Sequence, residues 1–244
     1  MRNILAIAGH DLSSGAGMTK DLEVFSALQC HPLAVPTAFV IQGPKGVRDV
    51  HPVPADRLAE MLRMVAEEIR VDGIKIGVTC DAGQVGAIGD FLEGRKGVPV
   101  VLDPVMAAKN GYPLLSPEGL EALKERILPA VDVITPNTEE ASILAGLPVM
   151  DKESMEAAGR ALKAMGIGGV VVKGGHLPGE PADLLVDRDG RAIWWEKPRI
   201  DRIVHGTGCA FSSLLTGLLV RGYPLVEAFR QAERIMEELL ANTY

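Results

Sequence analysis

The sequence predicts an α/β fold in which a mostly parallel central sheet carries helices on both faces. Three observations lead there. Short apolar runs alternate with stretches of helical periodicity along the whole chain, the pattern of buried parallel strands joined by crossover helices. The segments that directly follow the runs are polar and rich in glycine, and these are the positions where ligands gather in an open α/β sheet. The 244 residues hold no repeat, low-complexity tract or linker, so a single domain over residues 1–244 with a sizeable core is expected.

Each element has its own warrant. Asn3–Ile7 is a short apolar strand, followed by a Gly/Ser loop and a helix with Met18, Leu22, Phe25 and Leu28 on one stripe. Ala34–Val40 is a second apolar run. Pro54–Ile69 places Leu58, Met61, Leu62, Val65 and Ile69 at helical spacing. Gly73–Gly77 and Val98–Leu102 are buried-type strands around a helix near Gln84–Leu92. Leu120, Leu123 and Ile127 mark a further helix, Val131–Thr135 a strand, and Met155, Ala158, Leu162 and Met165 the helix after it. Gly169–Lys173 is a valine-rich strand. A hairpin is predicted from Asp183 to Lys197, turning at Asp189-Gly190. Two helices close the chain, from about Gly208 to Val220 and from Leu225 to Leu240.

Composition narrows the partners. The net charge is −7, against the basic surface of a nucleic-acid binder. No apolar run reaches the roughly 18–20 residues of a membrane helix, and the start of the chain lacks the features of a secretory signal. Cys30, Cys80 and Cys209 stand far apart and in no metal-ligand spacing, which suits a reduced, cytoplasmic setting.

Five segments after the predicted strands can carry chemistry. In Gly9–Gly17, Gly15 and Gly17 permit close backbone approach, but Lys20 stands where the dinucleotide fingerprint needs a third glycine. Asp21 follows one turn later on the same face. It either points at what the loop encloses or is a first-turn carboxylate favoured by the helix dipole. Asp103, at the end of a strand and followed by Pro104, suits a metal or a proton-transfer role, or a turn. Asn137 and Glu140 are either convergent ligands or an N-cap with its capping-box acid. Lys173-Gly174-Gly175-His176 suits phosphate contact, but Glu180 follows Gly179 where a Walker motif requires lysine. His205-Gly206-Thr207-Gly208-Cys209 is the sharpest. Glycines opening a helix leave N–H groups free for an anion, and Cys209 in the first turn is expected to have a lowered pKa. The plainer reading is a tight loop with a small buried cysteine.

Together these strings resemble the hydroxymethylpyrimidine/phosphomethylpyrimidine kinases of thiamine biosynthesis, in the ribokinase-like superfamily. The resemblance runs through Ser14-Gly15-Ala16-Gly17, Asp21-Leu22, Gln42, Val50-His51-Pro52, Lys75-Ile76-Gly77, Leu102–Met106, Ile134–Asn137 with Glu140, Val172–His176 and His205–Cys209. It implies a three-layer α/β/α sandwich, commonly a homodimer, that phosphorylates an aminopyrimidine and then its monophosphate with ATP and Mg2+. Carried over residue by residue, it implies that Gly206, Thr207 and Gly208 form the anion hole and that Cys209 is the catalytic group. It implies that Lys173, Thr207 and Asn137 meet nucleotide, that Asp103 and Glu140 organise the metal, and that Gly9, Asp21, Gln42, Val78 and Val105 line the acceptor pocket. A carboxylate and an amide suit an aminopyrimidine, since they accept from and donate to its ring edge.

The sequence departs from the family pattern at His10, Ser14, Gly43-Pro44, Val78 and Arg234. Most departures touch the acceptor side, so pyridoxal or pyridoxine kinase is the nearest alternative and a non-catalytic pyrimidine-binding relative the next.

Overall fold

The computed structural model describes residues 1–43, 46–95, 97–175, 177, 180–197 and 206–242. His205, His176, Pro44 and Gly179, singled out above, lie outside the described residues. Among those described, the chain runs β1 (Asn3–Asp11), α1 (Gly17–Ala27), β2 (His31–Gly43), β3 (Gly46–Pro52), α2 (Ala55–Glu68), β4 (Gly73–Ile76), α3 (Ala82–Glu93), β5 (Val100–Leu102), α4 (Pro117–Ala122), β6 (Val133–Ile134), α5 (Thr138–Ala145), α6 (Lys152–Ala164), β7 (Gly169–Val172), β8 (Ala182–Val186), β9 (Ala192–Glu196), α7 (Thr207–Val220) and α8 (Leu225–Asn242).

The strands form one sheet in the order β3-β2-β1-β4-β5-β6-β7-β8-β9. From β2 to β7 all neighbours are parallel. β3 adds antiparallel at one edge, and β8 and β9 at the other.

Period-two alternation divides the strands between two cores. On β1, Leu5 and Ile7 pack with Leu58, Leu62, Val85 and Ile88, while Ile4 and Ala6 pack with Phe25 and Val220. On β5, Val100 and Leu102 face the first side, and Val101 faces Phe211, Leu214 and Phe229 of α7 and α8. Helices α2 to α6 therefore cover one face, and α1, α7 and α8 the other. These are the three layers, and the alternation along each strand assigns every side chain its layer.

The differences from the sequence reading have local causes. β1 runs on to Asp11, because His10 and Asp11 continue the ladder with β2 after a register shift at Ala8. β3 has only one fully buried residue, Val47, too polar an edge strand for periodicity to reveal. The helix marked by Leu120, Leu123 and Ile127 is broken. α4 passes into a π-helical stretch at Leu123–Ile127 and then a 3-10 turn whose Pro129 cannot continue the ladder. The strand predicted over Val131–Thr135 shrinks to Val133–Ile134. The hairpin turning at Asp189-Gly190 is present, as β8 and β9.

At the far edge, α8 presses Glu233 into the sheet with no exposed surface. Lys197 Nζ donates to Glu233 Oε2 at 3.2 Å and to Asp183 Oδ2 at 2.6 Å. Burial, with Asp183 adding to it, pushes the Glu233 carboxyl up to about 9 despite Lys197. The folded chain therefore holds a proton that the unfolded chain releases near its ordinary value of 4.5. This group's contribution to stability is greatest in acid and falls as pH rises from about 4.5 to about 9. Glu233→Gln, neutral at every pH, should raise the melting temperature by a margin that widens between these limits. A thermal-denaturation series with a margin independent of pH would contradict this.

Candidate active site

The loops beyond the carboxyl ends of the parallel strands converge on the first turn of α7. Gly206 is its N-cap, with φ +77° and no side chain to cap the helix. A β-carbon there would run into the carbonyl oxygen of Gly15, so the loop after β1 and the start of α7 touch backbone to backbone. Gly17, also left-handed at φ +61°, lies against the Gly9 carbonyl. The residues 206–209 are half-buried. Free N–H groups and the helix dipole at such a turn favour an anion.

Lys173 follows β7. Its Nζ lies 3.2 Å from the position a β-carbon on Gly208 would occupy, and it donates to Asp103 Oδ1 at 2.8 Å. Asp103 follows β5 and is buried; Thr135 Oγ1 at 3.3 Å and Ser212 Oγ at 3.4 Å also donate to it. Burial pushes the Asp103 carboxyl up, but Lys173 and Lys75 outweigh it and hold it below its ordinary value. Burial likewise disfavours the Lys173 ammonium, yet Asp103 and Glu140 together hold its pKa above the usual value. The result is a charged ammonium beside an anion-seeking helix start.

Asn137 and Glu140 satisfy the plainer reading. The Asn137 side chain accepts from the Glu140 N–H, and Glu140 Oε2 accepts from the Asn137 N–H, each at 2.8 Å. This capping box fixes both residues beside Lys173, which bridges to Asn137 through the backbone. Burial pushes the Glu140 carboxyl up to about 7, with Lys173 opposing it.

Two expectations are corrected. Asp21 does not face the loop. It is fully buried, both carboxylate oxygens accept from Lys75 Nζ at 2.9 Å, and Oδ1 also accepts from Ser213 Oγ at 2.7 Å. Its oxygens are spent inside the protein, so it does not line an acceptor pocket. Cys209 does not have a lowered pKa. Burial pushes its thiol up to about 11, and the pull of Lys75 in the other direction is too small to reverse this. The helix dipole reaches the thiol, but desolvation of a thiolate costs more.

The other acceptor-side positions gather at the ends of β1, β2, β4 and β5. Gly9 lies against Val40 and Val78, Gln42 Nε2 donates to Asp11 Oδ2 at 3.2 Å, and Val105 is half-buried. Asp11, which carried no motif signal, organises this loop by accepting from the N–H groups of Ser13 and Ala16. Ser14 holds φ +57°, a left-handed conformation that explains why glycine suits that position. Ser212 and Ser213 were also missed, and Lys75 entered only through the Lys75-Ile76-Gly77 string, with no role. A further signal was a lysine in the middle of the otherwise apolar Gly73–Gly77, which demands a buried partner.

Known proteins resemble the chain over nearly its whole length. The family model described as phosphomethylpyrimidine kinase matches residues 11–244. The chain belongs to the phosphomethylpyrimidine kinase family. It is 37% identical over 247 residues to the hydroxymethylpyrimidine/phosphomethylpyrimidine kinase of Haemophilus influenzae, covering 99% of this chain and 92% of that one. The crystal structure of phosphomethylpyrimidine kinase from Clostridium difficile superposes with a TM-score of 0.86 at 32% identity, over 98% of this chain and 100% of that one. A pyridoxal kinase from Staphylococcus aureus, in complex with AMP-PCP and pyridoxal, superposes at 0.89 with 29% identity, over 100% and 90%. The three layers are thus those of the ribokinase-like superfamily, and the enzyme is a phosphotransferase.

The raised thiol gives a direct check. Alkylation of Cys209 by iodoacetamide, followed by peptide mass, should accelerate about tenfold per pH unit from pH 7 to pH 9.5. A plateau near pH 8 would mean that the helix start does stabilise the thiolate.

Proposed function

We propose that this kinase transfers phosphoryl groups from ATP to 4-amino-5-hydroxymethyl-2-methylpyrimidine and then to its monophosphate, giving the diphosphate used in thiamine biosynthesis. The observation that carries the reading is the convergence of Lys173, Asp103 and the Asn137–Glu140 capping box on the glycine-opened start of α7. The identity to named hydroxymethylpyrimidine kinases supports the acceptor, and a relative that holds AMP-PCP supports ATP as donor.

Catalysis of phosphoryl transfer is chiefly positioning and charge stabilisation. The γ-phosphoryl would lie against the backbone N–H groups of Gly206, Thr207, Gly208 and Cys209, with the Lys173 ammonium beside it. Thr207, Lys173 and Asn137 would contact nucleotide. The donor set fits Mg2+. That ion uses one or two carboxylates and completes its shell with waters and substrate phosphates, and Asp103 and Glu140 supply two carboxylates. Among the described residues no group of three or more His, Cys, Asp or Glu could hold an ion unaided, so phosphate oxygens would have to complete it. When bound, Mg2+ neutralises charge on the nucleotide phosphates.

Cys209 is the proposed base for the acceptor hydroxyl. It would accept the hydroxyl proton as its thiolate, which burial makes the minor form at neutral pH; a loose transition state asks for little deprotonation early. Gln42, Gly9, Val78 and Val105 would hold the ring by one amide and aliphatic packing, in keeping with a chain of few aromatics.

The three cysteines are unpaired, which suits a cytoplasmic enzyme. Among the described residues no helix is long and apolar enough to cross a membrane. Exposed Phe39 and Ile41 on β2 offer an apolar face for a homodimer.

The decisive assay incubates the chain with ATP, Mg2+ and either the hydroxymethylpyrimidine, its monophosphate or pyridoxal, and reads products by mass. Mono- and diphosphorylated pyrimidine are expected; pyridoxal phosphate as the main product would transfer the reading to the vitamin B6 acceptor. Cys209→Ala should lower kcat by about a hundredfold and change KM little. Undiminished turnover would remove the base role and leave the anion hole standing.

A further inference from the structure

The chain Lys75–Asp21–Ser213 is buried directly beneath this site, and phosphoryl transfer as proposed above does not use it. Lys75 lies in β4, where every residue is buried, and neither Lys75 nor Asp21 has exposed surface. The three side chains come from β4, α1 and α7, and the bonds between them are short: 2.9 Å from Lys75 Nζ to each oxygen of Asp21, and 2.7 Å from Ser213 Oγ to Asp21 Oδ1. Ser213 stands four residues after Cys209, one turn along the same helix face. The adjacent Ser212 donates to the Cys209 carbonyl at 3.0 Å and lies 3.4 Å from Asp103 Oδ2. Consecutive hydroxyls thus tie one helix to two separate buried carboxylates, each paired with its own lysine.

A buried ion pair is a poor way to gain stability, because desolvation offsets most of its attraction and well-packed apolar side chains often do better. What it does supply is direction. A carboxylate held at two oxygens by an ammonium cannot rotate, so a hydroxyl bonded to it is fixed in place. Helix α7 is otherwise packed by Phe211, Leu214, Leu215 and Leu218, contacts that resist separation but do not set the helix rotation so finely.

We propose that Lys75, Asp21 and Ser213 are positioning residues for phosphoryl transfer: the buried pair, gripped by the Ser213 hydroxyl, fixes the first turn of α7 and so the N–H groups of Gly206–Cys209. The claim rests on the kinase reading for its catalytic consequence. Displacement of reacting groups by about 1 Å can cost on the order of a hundredfold in rate, so a partly loosened helix start should cost less than that and more than nothing.

The test compares the full chain with Ser213→Ala and Ser213→Thr. Ser213→Ala leaves the ion pair and the packing in place. It should lower kcat by about tenfold while KM for ATP and for the pyrimidine stays within about twofold. Ser213→Thr, which keeps the hydroxyl, should recover most of kcat. A purely structural role would lower the melting temperature of Ser213→Ala and leave kcat per folded molecule unchanged, and that result overturns the proposal. Iodoacetamide alkylation of Cys209 provides a readout that needs no acceptor. Its rate should differ by about threefold or more in Ser213→Ala and return toward wild type in Ser213→Thr; equal rates in all three overturn the proposal. Absence of phosphoryl transfer by the wild-type chain refutes the kinase reading, and the alkylation rates then decide the positioning claim by themselves.

Discussion

Two ammonium–carboxylate pairs lie under the first turn of α7, Lys173 with Asp103 and Lys75 with Asp21. None of these four groups could be buried alone, since an isolated charge in a protein interior costs several kcal/mol at least. The pairs therefore require α1, β4 and the residues after β5 and β7 to meet at one place, and the parallel order of the sheet makes that possible. Asp103 and Lys173 follow their strands at the same edge of the sheet; α1 and α7 pack on the same face and deliver Asp21, Ser212 and Ser213. A sheet of other topology would scatter these residues.

The two pairs differ in exposure, and the difference divides their work. Lys173 keeps some contact with solvent, whereas Lys75 has none. An ammonium at the rim can exchange one partner for a phosphate oxygen. An ammonium sealed below it keeps its partner and serves as fixed charge. The same burial keeps the Cys209 thiol protonated, because the low-dielectric surroundings that strengthen the ion pairs also penalise a thiolate.

Much of this was legible in the sequence. The alternation of Leu5 and Ile7 with Ile4 and Ala6, or of Val100 and Leu102 with Val101, is the sheet with its two covered faces, and the glycines around Thr207 already marked the start of a helix. Three things were not legible. β3 brings only Val47 and Val50 to an apolar cluster, too little for a pattern, and pairs along the ladder that β2 offers. The direction of Asp21 depends on Lys75, 54 residues away, and no local pattern encodes that meeting. The state of Cys209 is a contest between helix field and desolvation, and sequence displays the first term while concealing the second. Asn137 and Glu140 teach the complementary point: they form the capping box of the plainer reading, and a capping box is itself a means of fixing two side chains, here beside Lys173.

The contact between Gly206 and the Gly15 carbonyl has a bearing on how acceptor choice could change over evolutionary time. Under the proposed function, the loop beside the acceptor and the loop beside the phosphate share a seam with no room for one additional carbon atom, so a mutation remodelling either would disturb the other and forfeit the chemistry along with the old preference. Val78, two residues after β4, and Val105, three after β5, lie outside that contact. Drift between one ring-bearing alcohol and another would then accumulate there, one side chain at a time, beneath a transfer apparatus that stays the same.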